Sequence, residues 1–388
     1  MTSRPPLPPV LERMPRVSSL TGLRWWAAFV VFLYHMAVFA PIPLEPVLRY
    51  GHYGVTFFFV LSGFVLTWSW SPTVGATTFW WRRFARIYPS HIVALALAVP
   101  VFYSFAPDPA QWWVKPVDVG VLLLSVLLLQ GWSRDPAVLF SGNPAAWTLT
   151  CEAFFYAMHP PIQRVLARWG RRGALVLAAG TAALALTYRL LALTWPTQWW
   201  AALPWPITRL TEFVLGMALA WAFRKAWRPR VAASVGYLAV AAVVGAVVLG
   251  VRHPEVPGVR LLLGSANELV MLACAVAIVA VAARDLRGGR SLLRKRWLVT
   301  LGEWSYTFYL VHATIIYVLL AQFGRQALSW NNLWWYAAAF VVALAASALM
   351  HRLVERPAER RMRGWWDARL AAREERAAAP APVASPER

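Results

Sequence analysis

The chain alternates between long apolar blocks and short stretches rich in Arg, Pro and Gly. The apolar blocks lie at 23–41, 53–71, 88–106, 117–133, 146–163, 174–194, 205–223, 231–250, 261–283, 298–321 and 333–353. A nearly uncharged block of about 20 residues spans the roughly 30 Å hydrocarbon core as a helix, which satisfies its own backbone there. The pattern therefore predicts an all-α fold, a polytopic membrane helix bundle.

The stretches between blocks predict its orientation. The leader holds Arg4, Arg13 and Arg16, and the second connection holds Arg82, Arg83 and Arg86. Later basic stretches fall at 164–172, 224–230, 284–296 and 356–363. Lys and Arg are retained on the cytoplasmic side, so all of these belong on that face. The loops at 82–86 and 164–172 then require an even number of crossings between them, yet three blocks lie there. One of 117–133 and 146–163 is accordingly partial or re-entrant. Asn143-Pro-Ala-Ala-Trp147 is a natural break, and irregular backbone is tolerated at membrane depth where it lines a cavity. About ten transmembrane helices follow, with both termini cytoplasmic. The alternative is eleven full spans with one misplaced basic loop.

Composition agrees with the membrane. Hydrophobic residues make up 59% of the 388, with 24 tryptophans, a residue that favours the headgroup level. Mean hydropathy is +0.50. The net charge of +21 is explained by loop arginines meeting anionic lipid, and no nucleic acid is expected as a partner. Cys151 and Cys274 lie in apolar blocks and predict buried thiols rather than a disulfide framework. The Pro- and Arg-rich segment Thr2 to Val17 has no short apolar run with a cleavage site and does not read as a cleaved signal peptide. Residues 1–18 are expected to form a disordered cytoplasmic leader, 19–361 one membrane domain, and 362–388 a largely disordered cytoplasmic tail.

A few polar residues stand inside the apolar blocks, where they are costly and mark sites by default. Arg24 and His35 share the first block. They lie about 16 Å apart along a helix, about half a bilayer core. A neutral imidazole at that depth suits a general base; the alternative is a packing histidine. Arg83 and Arg86, one turn apart, form a fork for phosphate oxygens or anchor the topology on lipid. Glu152, in Trp147-Thr-Leu-Thr-Cys-Glu152, needs a partner. It either orients His35 or pairs with an arginine such as Arg209. Arg209 and Glu212, one turn apart, can pair with each other, while Glu268 has no local partner. His312 reads as a core histidine, with lining of the cavity as the alternative, and Ser62-Gly63 reads as a helix-packing notch. No phosphate loop, dinucleotide fingerprint, nucleophile elbow or metal-ligand cluster occurs.

These stretches together resemble the acyltransferase 3 family of integral membrane O-acyltransferases, from about Ser19 to Arg361. The resemblance is carried by SLTGLRWWAAFVVFLYH, GVTFFFVLSGFVL, WWRRFARIYPSH, WTLTCEAFFY, RLTEFVLGMALAW, LGEWSYTFYLVH and RLVERPAER, in that order and spacing. It implies that His35 is essential, with Arg24 as the other member of an arginine-x10-histidine signature. It implies that Arg83 and Arg86 engage the acyl donor, a coenzyme A thioester, which replaces the lipid-anchor reading. Trp147 and Glu152 match the family's tryptophan-to-glutamate signature. Thr148 stands where the family has Ser, and Cys151 where it has a small aliphatic residue.

The implied site comprises His35, Glu152 and Arg24 for catalysis, and Arg83, Arg86 and Trp147 for the donor. No bound cofactor or metal is expected. Acyl-CoA, in the simplest case acetyl-CoA, is the co-substrate. The acceptor is a hydroxyl of a glycan, glycolipid or glycosylated small molecule, and membrane lipid is a partner. An acyl-histidine intermediate would let donor and acceptor enter from opposite faces. The competing class is a transporter or flippase using His35 and Glu152 as a proton relay, which would release no CoA.

Overall fold

The computed structural model describes residues 14–378. Helix α1, Ser18–Phe39, opens the bundle; residues 1–13 of the predicted leader lie outside the described residues. There follow α2, Gly54–Trp68, α3, Ala76–Phe102, and a short α4, Val119–Val126. The chain continues through α5, Trp147–Leu166, α6, Arg171–Thr194, α7, Leu210–Arg224, and α8, Ala233–Arg252. It finishes with α9, Ala266–Leu286, α10, Arg296–Phe323, α11, Leu333–Met350, and α12, Arg356–Ala378. Eight helices among the described residues are long and apolar enough to cross a membrane. This is a multi-pass, all-α membrane bundle. The sheet content described is a two-residue parallel pair, Tyr103–Ser104 with Lys115–Pro116.

The block at 117–133 is the partial segment. Its helix α4 has eight residues, about 12 Å of rise. The irregular chain that follows carries buried Gln130, Ser141 and Asn143. His91 of α3 donates from Nε2 to the Ser125 carbonyl at 2.9 Å. Asn143 donates from Nδ2 to the Leu310 carbonyl, in the middle of α10, at 2.8 Å. These bonds hold non-helical backbone at depth, which is stable only where protein or a cavity replaces lipid. Helix α5 is longer, at 20 residues, but it is not among the eight helices that are long and apolar enough to cross.

Small residues set the closest helix crossings. Gly63 of α2 lies against the Phe213 carbonyl of α7, and Gly216 of α7 against the Val60 carbonyl of α2, so the Ser62-Gly63 notch is where α7 crosses. Gly302 of α10 lies against the Thr21 carbonyl of α1. Above that contact Trp25 and Phe32 of α1 flank Phe308 of α10, with centroids at 5.1 and 5.7 Å.

The basic loops gather at the end where α1 begins. Ser19 donates through N (2.8 Å) and Oγ (2.6 Å) to Asp285, Arg224 reaches the Trp68 carbonyl at 2.7 Å, and Trp221 reaches the Trp169 carbonyl at 2.9 Å.

At the same end α11 passes through a π-helical stretch, His351–Glu355, into α12. Residues 362–378 are helical, which corrects the largely disordered tail predicted there. Trp81 holds α12 through its Nε1 bond to the Met362 carbonyl (2.9 Å) and by stacking on Trp366 (5.5 Å). Residues 379–388 lie outside the described residues.

Candidate active site

At the opposite end, where α1 finishes, the helices diverge around a cavity of about 910 Å³. His35, Trp147, Trp205, Arg209, Glu268 and Tyr309 are among the residues on its wall. The irregular segment after α4 forms part of that wall through Pro136, Leu139, Phe140 and Pro144. Lys115 clamps this segment by donating to the Ala137 and Phe140 carbonyls, each at 3.0 Å. Burial lowers the Lys115 ammonium below its ordinary pKa, opposed by nearby Asp135.

The state of His35 follows from its neighbours. His312, fully buried on α10, places Nδ1 at 2.8 Å from the Tyr309 carbonyl and 3.2 Å from the Phe308 carbonyl. Carbonyls only accept, so His312 Nδ1 carries a hydrogen and, in the neutral ring, its Nε2 is bare. That Nε2 lies 3.1 Å from His35 Nδ1. His35 Nδ1, also 3.0 Å from the Val31 carbonyl, is therefore the protonated nitrogen. His35 Nε2 keeps its lone pair on the cavity side. The arrangement presents an oriented, neutral base.

His312, read from the sequence as a core histidine, is buried but is the direct partner of the predicted base. Both rings stand one turn beyond the Phe32–Phe308 contact, so the pairing follows from the α1–α10 crossing.

The remaining predicted residues form a second group toward the basic end. Glu152 shares its electrostatic surroundings with Tyr156, Arg24, Arg83 and Arg86. His35 has different polar neighbours, the Val31 carbonyl and His312. Arg24 in turn faces Arg86, Glu152 and Glu355. Arg86 ion-pairs with Glu355, and with Glu359 at 3.1 Å. Glu355 is fully buried and also meets His351 Nδ1 at 3.1 Å, so the π-helical turn aims a carboxylate at Arg86.

Among the described residues neither Arg24 nor Arg83 hydrogen-bonds or ion-pairs with another side chain; Arg83 lies over the Phe79 ring at 5.9 Å. The two arginines of the fork thus differ: Arg86 is neutralised and Arg83 is open. Trp147, predicted with the donor residues, instead lines the His35 cavity. Five residues separate it from Glu152 on α5, about 7.5 Å of rise, so α5 joins the two groups. Among the described residues no three His, Cys, Asp or Glu side chains are placed to hold a metal ion.

A family model described as an acyltransferase domain matches residues 17–352. The chain belongs to the acyltransferase 3 family. The chain is similar to Acyltransferase MdmB of Streptomyces mycarofaciens, with 34% identity over 385 residues that cover 91% of this chain and 94% of the relative. Nodulation protein 10 of Rhizobium leguminosarum bv. viciae is 31% identical over 32% of this chain and 36% of its own length. Peptidoglycan O-acetyltransferase OatA of Listeria monocytogenes is 27% identical over 42% of this chain and 26% of its own length. No solved structure matches the chain. The acyltransferase is an integral membrane O-acyltransferase. His35, His312 and the arginines at 24, 83 and 86 fall inside the matched region, while Glu355 and Glu359 lie just beyond it.

Proposed function

We propose that the enzyme moves a short acyl group, in the simplest case acetyl, from acyl-CoA to a hydroxyl of a sugar-bearing acceptor. The acceptor is a glycan, a glycolipid or a glycosylated small molecule. The basic loops share one end of the bundle, which the positive-inside rule puts in the cytoplasm together with both termini, in the cell membrane. Acyl-CoA docks from that side with its phosphates at Arg83 and Arg24, in the positive field that Arg86 extends. Glu152 balances the charge of these guanidiniums when the donor is absent.

The acceptor enters the large cavity from the other side, and the two substrates meet at His35. His35 Nε2 takes the acceptor hydroxyl proton as the oxygen attacks the thioester carbonyl. The tetrahedral intermediate then collapses, the C–S bond breaks, and the imidazolium returns the proton to the departing sulfur. The products are an ester and free CoA. The observation that supports this most is the pairing of His35 with His312, which leaves Nε2 of the cavity-lining His35 bare. The name of the Listeria relative supports acetyl as the group moved.

The test supplies membranes containing the wild type or His35→Ala with acetyl-CoA labelled in the acyl group. CoA release is followed together with label in lipid, glycan and protein fractions. Wild type should release CoA and label one acceptor fraction, and His35→Ala should do neither. Equal transfer by both would remove His35 from the chemistry. CoA-independent movement of an acylated compound would favour the proton-relay alternative.

A further inference from the structure

We infer that Glu268 and Arg189, with the Trp147–Trp205 pair, form the subsite that grips the sugar ring of the acceptor. The inference rests on the proposed acyl transfer to a glycosylated acceptor and adds to it the residues that recognise that acceptor. It starts from which charged groups on the cavity wall are already committed. Lys115 is spent on the Ala137 and Phe140 carbonyls. Arg134 donates to the Leu203 carbonyl and lies over Trp205 at 4.2 Å. Arg209 pairs with Glu212 at 2.8 Å and with Asn267, and Asn267 Nδ2 donates to Glu212 at 2.9 Å.

Glu268 differs from these. Its single described contact is from Arg189 Nε to Oε2 at a long 3.4 Å, and its side chain is 12% exposed. Oε1 has no described partner, on a wall that also carries His35. A carboxylate oxygen accepts from a hydroxyl, and the adjacent guanidinium donates to the next one. Together they match the vicinal hydroxyls of a pyranose.

Aromatic surface supplies the rest of such a site. Trp147 and Trp205 have ring centroids 5.7 Å apart at 50° on the same wall, and since Arg134 and Arg209 lie over Trp205, Trp147 is the face that the pair offers. The apolar C–H face of a sugar packs on such rings. The cavity, about 910 Å³, lies near the top of the roughly 300–1,000 Å³ range for pockets that enclose drug-sized ligands. It therefore accommodates a sugar ring together with an apolar aglycone. The recognised class is an amphiphilic glycoside.

The test uses the full chain in lipid nanodiscs and p-nitrophenyl glycosides of glucose, mannose and a 6-deoxyhexose. Cyclohexyl p-nitrophenyl ether serves as the hydroxyl-free control. Binding is read from quenching of tryptophan fluorescence by the nitrophenyl group, and folding from the melting temperature. At least one glycoside should bind more tightly than the ether. Glu268→Gln should weaken that glycoside about tenfold or more and leave the ether unchanged, as expected when a hydrogen bond to a charged group is lost. Glu268→Asp, which keeps the charge, should fall between. Glycosides no tighter than the ether, or bound equally by wild type and a folded Glu268 variant, would overturn the subsite.

CoA release from acetyl-CoA in membranes that supply the acceptor, compared in wild type and His35→Ala, separates the two levels. Release that depends on His35 alongside failed glycoside binding rejects the subsite alone. Absence of release in wild type rejects the donor reading, whatever the glycosides do.

Discussion

Replacing His312 by phenylalanine removes the acceptor that holds the His35 Nδ1 proton while nearly preserving ring volume. The ring should stay in place, because His312 already stacks near-parallel on Phe308 at 6.1 Å and 10°. The variant loses one buried hydrogen bond, His35 Nδ1 to His312 Nε2, of net worth about 1 kcal/mol. A second acceptor, the Val31 carbonyl at 3.0 Å, stays, so the preference for the reactive tautomer weakens without vanishing. The tautomer population then moves by about fivefold, and loss of ring orientation adds to this. We expect kcat to fall about 5- to 20-fold with KM for acyl-CoA unchanged, well short of the roughly 10²- to 10⁴-fold expected when the base is deleted in His35→Ala. His312→Gln can place its amide oxygen where Nε2 stood and should recover most of the loss. The assay is acetyl-CoA-dependent CoA release in nanodiscs, with the melting temperature as a check on folding. A His312→Phe enzyme as active as wild type, or a folded His312→Gln enzyme no better than His312→Phe, would refute the assignment of His312 as the residue that positions His35.

The two arginines of the fork should separate in kind. Arg83→Ala should raise KM for acyl-CoA about 10-fold or more with little change in melting temperature, since Arg83 holds no described ion pair and a charged hydrogen bond is worth about 1.5–3 kcal/mol. Arg86→Ala should instead destabilise the protein by about 3–5 kcal/mol, because buried Glu355 loses its cation, and Glu355→Gln added to it should restore much of the melting temperature. Gly216→Ala drives a methyl into the Val60 carbonyl and should cost about 1–3 kcal/mol, read as a lower melting temperature; no shift would show that α2 and α7 separate freely.

Much of this enzyme is legible in its sequence because the membrane makes hydrophobicity nearly sufficient. Apolar length located the helices, and loop charge predicts that one of two blocks does not cross. The choice between them needed the hydrogen bonds of Ser125 and Asn143, whose partners are far along the chain. His312 is buried as the sequence predicts, but its pairing with His35 is not legible there. A histidine on an apolar helix looks like core until the helix it faces is known, and its partner is 277 residues away. A signal was nonetheless present: α1 and α10 each run from a small residue at the basic end through an aromatic to a histidine, Gly22-Phe32-His35 and Gly302-Phe308-His312. Glu152 and Trp147 share one signature, yet Trp147 lines the cavity while Glu152 stands among the arginines, because α5 starts at the cavity and runs toward them. Residues 362–378 fall in the stretch expected to be largely disordered, yet they continue helix α12. Contacts no periodicity reveals hold it, including Trp366 Nε1 to Thr78 Oγ1 at 3.0 Å and Arg82 to Asp367 at 3.2 Å.

The central claim is that donor and acceptor approach His35 from opposite ends of the bundle. Liposomes with the enzyme in one defined orientation, given labelled acetyl-CoA on one side at a time, test it most directly. The account predicts His35-dependent CoA release only when acetyl-CoA faces the Arg83 end, with label leaving in the acceptor on the other side. Release from acetyl-CoA supplied only at the cavity end, or equally from both, would contradict it.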